Sequence, residues 1–356
     1  MIYIHVPFCH RKCTYCAFYS KPVSSSQFPV ASYVDALLLE MERRRGEQAH
    51  PIRTVYFGGG TPSILPIGEL SRIVEGLRRW FDLSQLEEAT IECNPEDLTP
   101  DYLSDLRSIG LFNRISIGIQ SLDDEVLHLI GRRHTAAQAL AAVEQAHKAG
   151  FHNISVDFIY GIRAKGSLGA IEALMPLISH VSAYSLTVEQ GTALAVQVQQ
   201  GRVVLPDDDE VVRQYLALHD ALEEAGFRQY EVSNYARAGF ESRHNSRYWN
   251  RTPYLGLGPG AHSFDGKRRL WNNPDGTVGE ETLTEADAYN EMLMTALRTT
   301  RGLPLAMVPE GQKERLHHAM QQYINCGWIV LENNHYAPTT EGLLHADGIA
   351  ASLFVS

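Results

Sequence analysis

Cysteine is scarce in this chain of 356 residues: there are five, and Cys93 and Cys326 stand alone in spacings that suggest neither a disulfide framework nor a zinc knuckle. Positive charge is short as well. Lys and Arg number 31 against 42 Asp and Glu, a formal net charge of −11. That balance excludes broad binding to nucleic acid or anionic lipid, which needs a basic footprint to neutralise phosphate. No apolar run approaches the roughly 20 residues that cross a bilayer. The first residues lack a basic and apolar leader pattern and run directly into a strand-like stretch that ends at Cys9. Free thiols without a leader point to a reducing cytoplasm. An apolar content of 44% suffices for one barrel-sized domain and a smaller unit.

The other three cysteines, Cys9, Cys13 and Cys16, form a C-x₃-C-x₂-C triplet directly after Ile2-Tyr-Ile-His-Val. A cubane iron–sulfur cluster takes four thiolates, so a loop that supplies three leaves one iron open to chemistry. A zinc site completed by His5 or His10 is the alternative.

Short β-rich runs begin at Ile2, Thr54, Ala89, Arg114, Ile154 and Val181, separated by segments of helical period at 30–45, 68–80, 102–109 and 135–148. Six strands alternating with helices imply parallel βα units, either an α/β partial (β/α)₆ barrel or a doubly wound sheet. Glu92, Gln120 and Asp157 fall at or just beyond the ends of strands three, four and five, the face on which parallel βα folds build active sites. After strand two, Gly58-Gly-Gly-Thr-Pro-Ser63 allows backbone amides to approach a ligand closely, with Thr61 adding a hydroxyl. It lacks the Gly-Lys-Ser/Thr ending of a phosphate loop, and a tight βα turn is its structural alternative. Glu92 can accept from ribose hydroxyls. Gln120 offers an amide, Arg132 a guanidinium for a carboxylate, and Asp157 a second acceptor.

In order, Ile-Tyr-Ile-His-Val-Pro-Phe-Cys, Gly-Gly-Gly-Thr-Pro-Ser, Glu-Cys-Asn-Pro, Ile-Gln-Ser and Asp-Phe-Ile-Tyr-Gly resemble the oxygen-independent coproporphyrinogen III oxidase group of the radical S-adenosylmethionine (SAM) superfamily, from Ile2 through at least His262. The resemblance implies a radical SAM barrel with a [4Fe-4S] cluster on Cys9, Cys13 and Cys16, and SAM on its fourth iron. It also implies Tyr3, Gly59, Gly60, Thr61, Glu92, Gln120, Arg132 and Asp157 as SAM contacts, and assigns no catalytic residue. Within the group, the true oxidase carries a further cysteine two residues beyond the triplet, where this chain has Phe18, and an extension before the cluster strand, where this sequence reads Met1-Ile-Tyr. His244-Asn-Ser-Arg-Tyr-Trp249 is similar to the HNxxYW motif of the haem-chaperone branch, the HemW type. That likeness implies haem delivery to acceptor haemoproteins, membrane respiratory enzymes among the candidates. It makes His244 the expected haem ligand and His262 a second candidate, with a homodimer forming on haem binding and the protein sitting in the cytoplasm or peripherally at a membrane. The alternative is the oxidase itself, converting propionates to vinyl groups. One departure is the loop after Asp157, which has lost the usual proline and gained Arg163 and Lys165, charges suited to a propionate or to solvent.

Beyond the core, taken as 1–270, the stretch 271–284 is rich in Asn, Pro, Gly and Asp and reads as a linker. Residues 285–356 carry helical patterning at 285–298, 316–326 and 342–354 around a hairpin-like Trp328–Tyr336, a helix-rich, winged-helix-like unit. Its helices are mixed or acidic, against a DNA-binding role. In the resembled group this unit caps the barrel opening.

Overall fold

The computed structural model describes residues 1–23, 29–48, 50–163 and 168–355. Six parallel strands follow the expected order: β1 (Ile2–Val6), β2 (Thr54–Gly59), β3 (Glu88–Cys93), β4 (Arg114–Gln120), β5 (Ile154–Tyr160) and β6 (His180–Ser185). Residues Arg228–Gly260 add β7 (Arg228–Glu231), β8 (Asn234–Ala236) and β9 (Leu255–Leu257). The nine strands form one open sheet in the order β9-β1-β2-β3-β4-β5-β6-β8-β7, with β9 parallel to β1 and β8 antiparallel to both neighbours. The expected partial barrel is therefore present. The segment 228–236 forms a tight antiparallel pair.

Strand alternation explains the layering. Ile2, Ile4, Val55, Phe57, Ile91, Ile115, Ile117 and Val156 are fully buried in one cluster with the apolar stripes of helices α1 (Val30–Arg44), α2 (Ile67–Trp80), α3 (Pro100–Ile109) and α5 (Ala136–Lys148). Between α3 and α5 lies the short α4 (Asp124–Leu129). The opposite pleat is polar. Tyr3, Tyr56, Thr90 and Arg114 pair in one row across the sheet, and Glu92 pairs with Ser116, so the helix-free face is a column of hydroxyls and charges. Caps fix the helices in place: Thr135 and Gln138 form a capping box on α5, and Thr99 accepts from Tyr102 N at the start of α3.

After β6 come α6 (Ala193–Gln199), α7 (Asp208–Glu224) and α8 (Arg243–Trp249). The stretch expected as a linker is built otherwise. Strands β10 (His262–Phe264), β11 (Arg268–Asn272) and β12 (Val278–Thr282) form a three-stranded antiparallel ribbon, closed at one end by a turn in which Asn273 and Thr277 bond to each other. The Asn-Pro-Asp-Gly run is this hairpin's turn, and turn chemistry resembles linker chemistry in composition alone.

Residues from α9 (Glu285–Leu297) onward own a second hydrophobic cluster, centred on Leu293, Leu303, Leu316, Met320 and Tyr336. Its helices α10 (Glu310–Asn325), α11 (Thr340–Leu344) and α12 (Ala346–Ser352) surround a small sheet of β13 (Leu303–Pro304), β14 (Ile329–Glu332) and β15 (His335–Pro338). This unit lies across the slot between the two sheet edges. Arg298 O and Tyr230 O bond the chain 298–300 to edge strand β7, while Glu291 binds Arg251 after α8 and Arg269 on β11. It thus covers the exposed β7 edge. No described helix is long and apolar enough to cross a membrane.

Candidate functional site

The cysteine loop leaves β1 at the C-terminal end of the sheet and is tied down on three sides. Gly60 N and Thr61 N donate to Val6 O (2.8 Å) and Phe8 O (2.6 Å), and Thr14 N donates to Ile130 O (3.0 Å) in the turn after α4. Leu194 N at the start of α6 donates to Thr14 O (2.8 Å). The glycine turn therefore works differently from its sequence reading. Its amides, Gly59 N included, are taken by protein acceptors, Glu92 Oε2 in that case, so the turn pins the cysteine loop. Gly60 is obligatory there because a Cβ would lie 2.4 Å from Phe8 O.

Cys9, Cys13 and Cys16 line a cavity of about 510 Å³ together with Gly59, Gly60, Thr61, Glu92, Gln120, Arg132 and Asp157, so seven of the eight expected SAM contacts share it. Tyr3 is the exception. It lies deeper in the column, stacked on Tyr56 (ring centroids 6.2 Å apart) with its hydroxyl 3.2 Å from His5 Nδ1. The Thr61 hydroxyl donates to Cys9 Sγ at 3.5 Å, and Arg132 Nη1 donates to Cys13 Sγ at the same distance. Arg132 is oriented by Asn94 Oδ1 and Gly118 O, each 2.7 Å from Nη2, and its buried Nε has no partner among the described residues. Asn94 also donates to Thr61 Oγ1 at 3.2 Å and so links Arg132 to the glycine turn.

The acceptors are strongly tuned. Burial, reinforced by the neighbouring Asp157, raises the Glu92 carboxyl to about 7, although Tyr56 donates to it at 2.7 Å. Asp157 is also raised by burial, opposed by Arg114 and by the Ser116 hydroxyl at 3.1 Å. Gln120 sits at a register shift between β4 and β5 with φ of +60°, a strained conformation for a residue with a side chain, held where the amide enters the cavity. The described residues gather no set of three His, Cys, Asp or Glu groups able to hold a single metal ion, although all three thiols line the cavity. His5 bonds Tyr3 and Tyr19 O. His10 faces Asp97 at 3.5 Å.

His244, the expected haem ligand, is buried in this structure. It is 1% exposed at the opposite end of the strands, with Nδ1 2.9 Å from Thr54 Oγ1 and Nε2 3.2 Å from the Tyr248 hydroxyl. Burial pushes its pKa down to about 3, and both ring nitrogens are engaged. The α8 amides of Arg243 and His244 are satisfied by Glu88 at 2.9 Å each. His262 stands exposed on β10, stacked on Trp271. Arg163 pairs with Glu125, whereas Lys165 lies outside the described residues.

Residues 3–165 match the Radical SAM superfamily model, and residues 283–345 match the HemN C-terminal domain. The heme chaperone HemW of Mycobacterium tuberculosis is 34% identical over 371 residues, covering 99% of this chain and 94% of that protein. The chain belongs to the HemW group of the radical SAM superfamily. HemW of Bacillus subtilis is 38% identical over 277 residues, spanning 76% of this chain and 72% of the relative. Among solved structures, coproporphyrinogen III oxidase (HemN) from Escherichia coli superposes with a TM-score of 0.83 at 21% identity, over 99% of this chain and 89% of that one, a likeness of fold. Radical SAM membership carries a [4Fe-4S] cluster and SAM as cofactors. The cavity suits them, since its lining brings together the three thiols, the Arg132 guanidinium and the Glu92 and Asp157 carboxyls.

Proposed function

We propose that this protein is a haem chaperone, binding haem and passing it to acceptor haemoproteins. The observation that carries the reading is end-to-end similarity to proteins named heme chaperone HemW. Phe18 in place of the oxidase's extra cysteine supports it; this residue is 69% exposed on the cavity rim. In this reading Cys9, Cys13 and Cys16 hold three cluster irons, and Glu92, Gln120, Arg132 and Asp157 hold SAM, with the carbonyls of Gly59 and Gly60 accepting from its amino group. Tyr3 acts through Tyr56, whose hydroxyl holds Glu92. When bound, the cluster supplies one-electron chemistry to SAM. Arg132 orients Cys13 through its Nη1 contact, and Glu92 holds or releases a proton near neutrality beside the ligand. Acceptors at a respiratory membrane and a haem-dependent homodimer belong to the same reading.

The test uses cluster-loaded protein under anaerobic conditions. Haem titration followed by Soret absorbance should saturate at one haem per chain, and the loaded protein should hand haem to apomyoglobin faster than free haem is captured. Carbon dioxide release from coproporphyrinogen III without saturable haem binding would replace this reading with the oxidase.

A further inference from the structure

A second cavity, of about 780 Å³, opens at the base of the barrel, at the strand ends opposite the cysteine loop. It lies between the approach to β2, the start of β9 and the β10–β11 ribbon. Pro51, Tyr254, Phe264 and Leu270 give it apolar walls, and Arg53, Arg247 and His50 stand among its polar groups. We propose that this cavity is the haem site, with His50 supplying the iron ligand and Arg53 and Arg247 receiving the propionates. The proposal rests on the haem-chaperone reading and places its cargo.

Three observations converge on an amphipathic, dianionic macrocycle. First, the volume lies within the range of small-molecule sites, and the lining combines flat aromatic and aliphatic surface with polar groups, as a porphyrin plane requires. Second, on a chain that is acidic overall, three guanidiniums share one carboxylate. Glu87 is approached by Arg53, by Arg243 at 3.0 Å and by Arg247 at 3.5 Å, and the buried Arg247 Nε has no partner among the described residues. The wall's own acids are already held, Glu47 by Arg44 and Asp265 by Arg268. The surplus is positive and suited to carboxylates. Third, the exposed His50 imidazole has no hydrogen-bond partner among the described residues, unlike His244, and imidazole is a usual haem ligand.

The arrangement also gives the His244–Trp249 segment a role. His244 holds the Tyr248 hydroxyl, and the Tyr248 ring meets Tyr254 edge-on with centroids 4.8 Å apart. Tyr254 in turn packs on Phe264 at 6.3 Å, and both line the cavity. His244 is thus a positioning residue behind the wall, while Arg247 of the same helix faces the ligand.

The experiment is an anaerobic titration of the cluster-loaded full chain with haem and, separately, with the dimethyl ester of haem, read by Soret absorbance. Variants are His50→Ala, Arg247→Gln and His244→Ala. Expected results are a displaced Soret maximum in His50→Ala, roughly tenfold weaker haem binding in Arg247→Gln with little change for the ester, and weaker binding at an unshifted maximum in His244→Ala. An unchanged spectrum and affinity in His50→Ala, alongside saturable wild-type binding, overturns the site while leaving haem binding intact. A displaced maximum in His244→Ala with none in His50→Ala overturns it equally. Absence of saturable binding in wild type overturns the chaperone reading instead. Circular dichroism of each variant identifies loss through misfolding, and His50, exposed on a surface turn, is the substitution least subject to that outcome.

Discussion

Glu92 lies inside the polar column beside Asp157, with its carboxyl raised to about 7 mainly by burial. The folded state therefore holds a proton that the unfolded chain releases near its ordinary value of 4.5. Protein free of cofactor should lose stability as pH rises from about 4.5 to about 7 and then level off. Glu92→Gln keeps the shape without the titration. It should flatten that slope and make the cofactor-free protein about 3 kcal/mol more stable at pH 8, each tenfold change in proton affinity being worth ~1.4 kcal/mol. Urea unfolding of wild type and variant at pH 5 and pH 8 checks this, and an unchanged difference between the two pH values refutes it. SAM binding should weaken in the same variant, since an amide offers a ribose hydroxyl a poorer acceptor than a carboxylate.

The glycine turn after β2 and the cysteine loop behave as one element, because Gly60 and Thr61 donate to Val6 and Phe8. A methyl group at Gly60 must displace the Phe8 carbonyl or lose that bond. Gly60→Ala should consequently bring in less than half the wild-type iron and sulfide on anaerobic reconstitution, with an unchanged far-ultraviolet circular dichroism spectrum. Gly131 serves the other side of the loop: φ is +76°, and a Cβ would meet Thr14 at 3.1 Å. Gly131→Ala should produce the same defect in milder form, read by the same iron and sulfide assay.

At the scale of the molecule, the C-terminal unit is fastened across the slot of an open sheet. Glu291 binds two guanidiniums, Arg251 at 3.3 Å and Arg269 at 2.6 Å, and is only 15% exposed. Glu291→Ala leaves both cations partly buried and unpaired, a loss of about 2 kcal/mol in chemical unfolding. The β7 edge should also become more accessible, raising amide hydrogen exchange at Val232 and Thr300, whose N–H groups donate to Arg298 O and Tyr230 O. Unaltered exchange there would show that the ladder alone holds the unit.

Local pattern determined a large share of this molecule. Strand and helix positions through β6 follow from alternation and helical period, because each element's burial is one-sided and leaves a periodic trace, and the cysteine spacing by itself marks the loop. The Asn-Pro-Asp-Gly hairpin reads as a linker because turn and linker share a composition, and only pairing with β10 distinguishes them. Asn94 reads as a turn former because its links to Thr61 and Arg132 are made between residues 33 and 38 positions apart. His244 resembles a ligand in its motif, yet its two bonds are to Thr54, 190 positions away, and Tyr248, one helical turn away. Likewise the base cavity draws its walls from residues around 50, 250 and 265, which share no local pattern. Sequence determines what each segment can do locally; which nitrogen is spent inside and which stays free for a ligand depends on what the fold brings beside it.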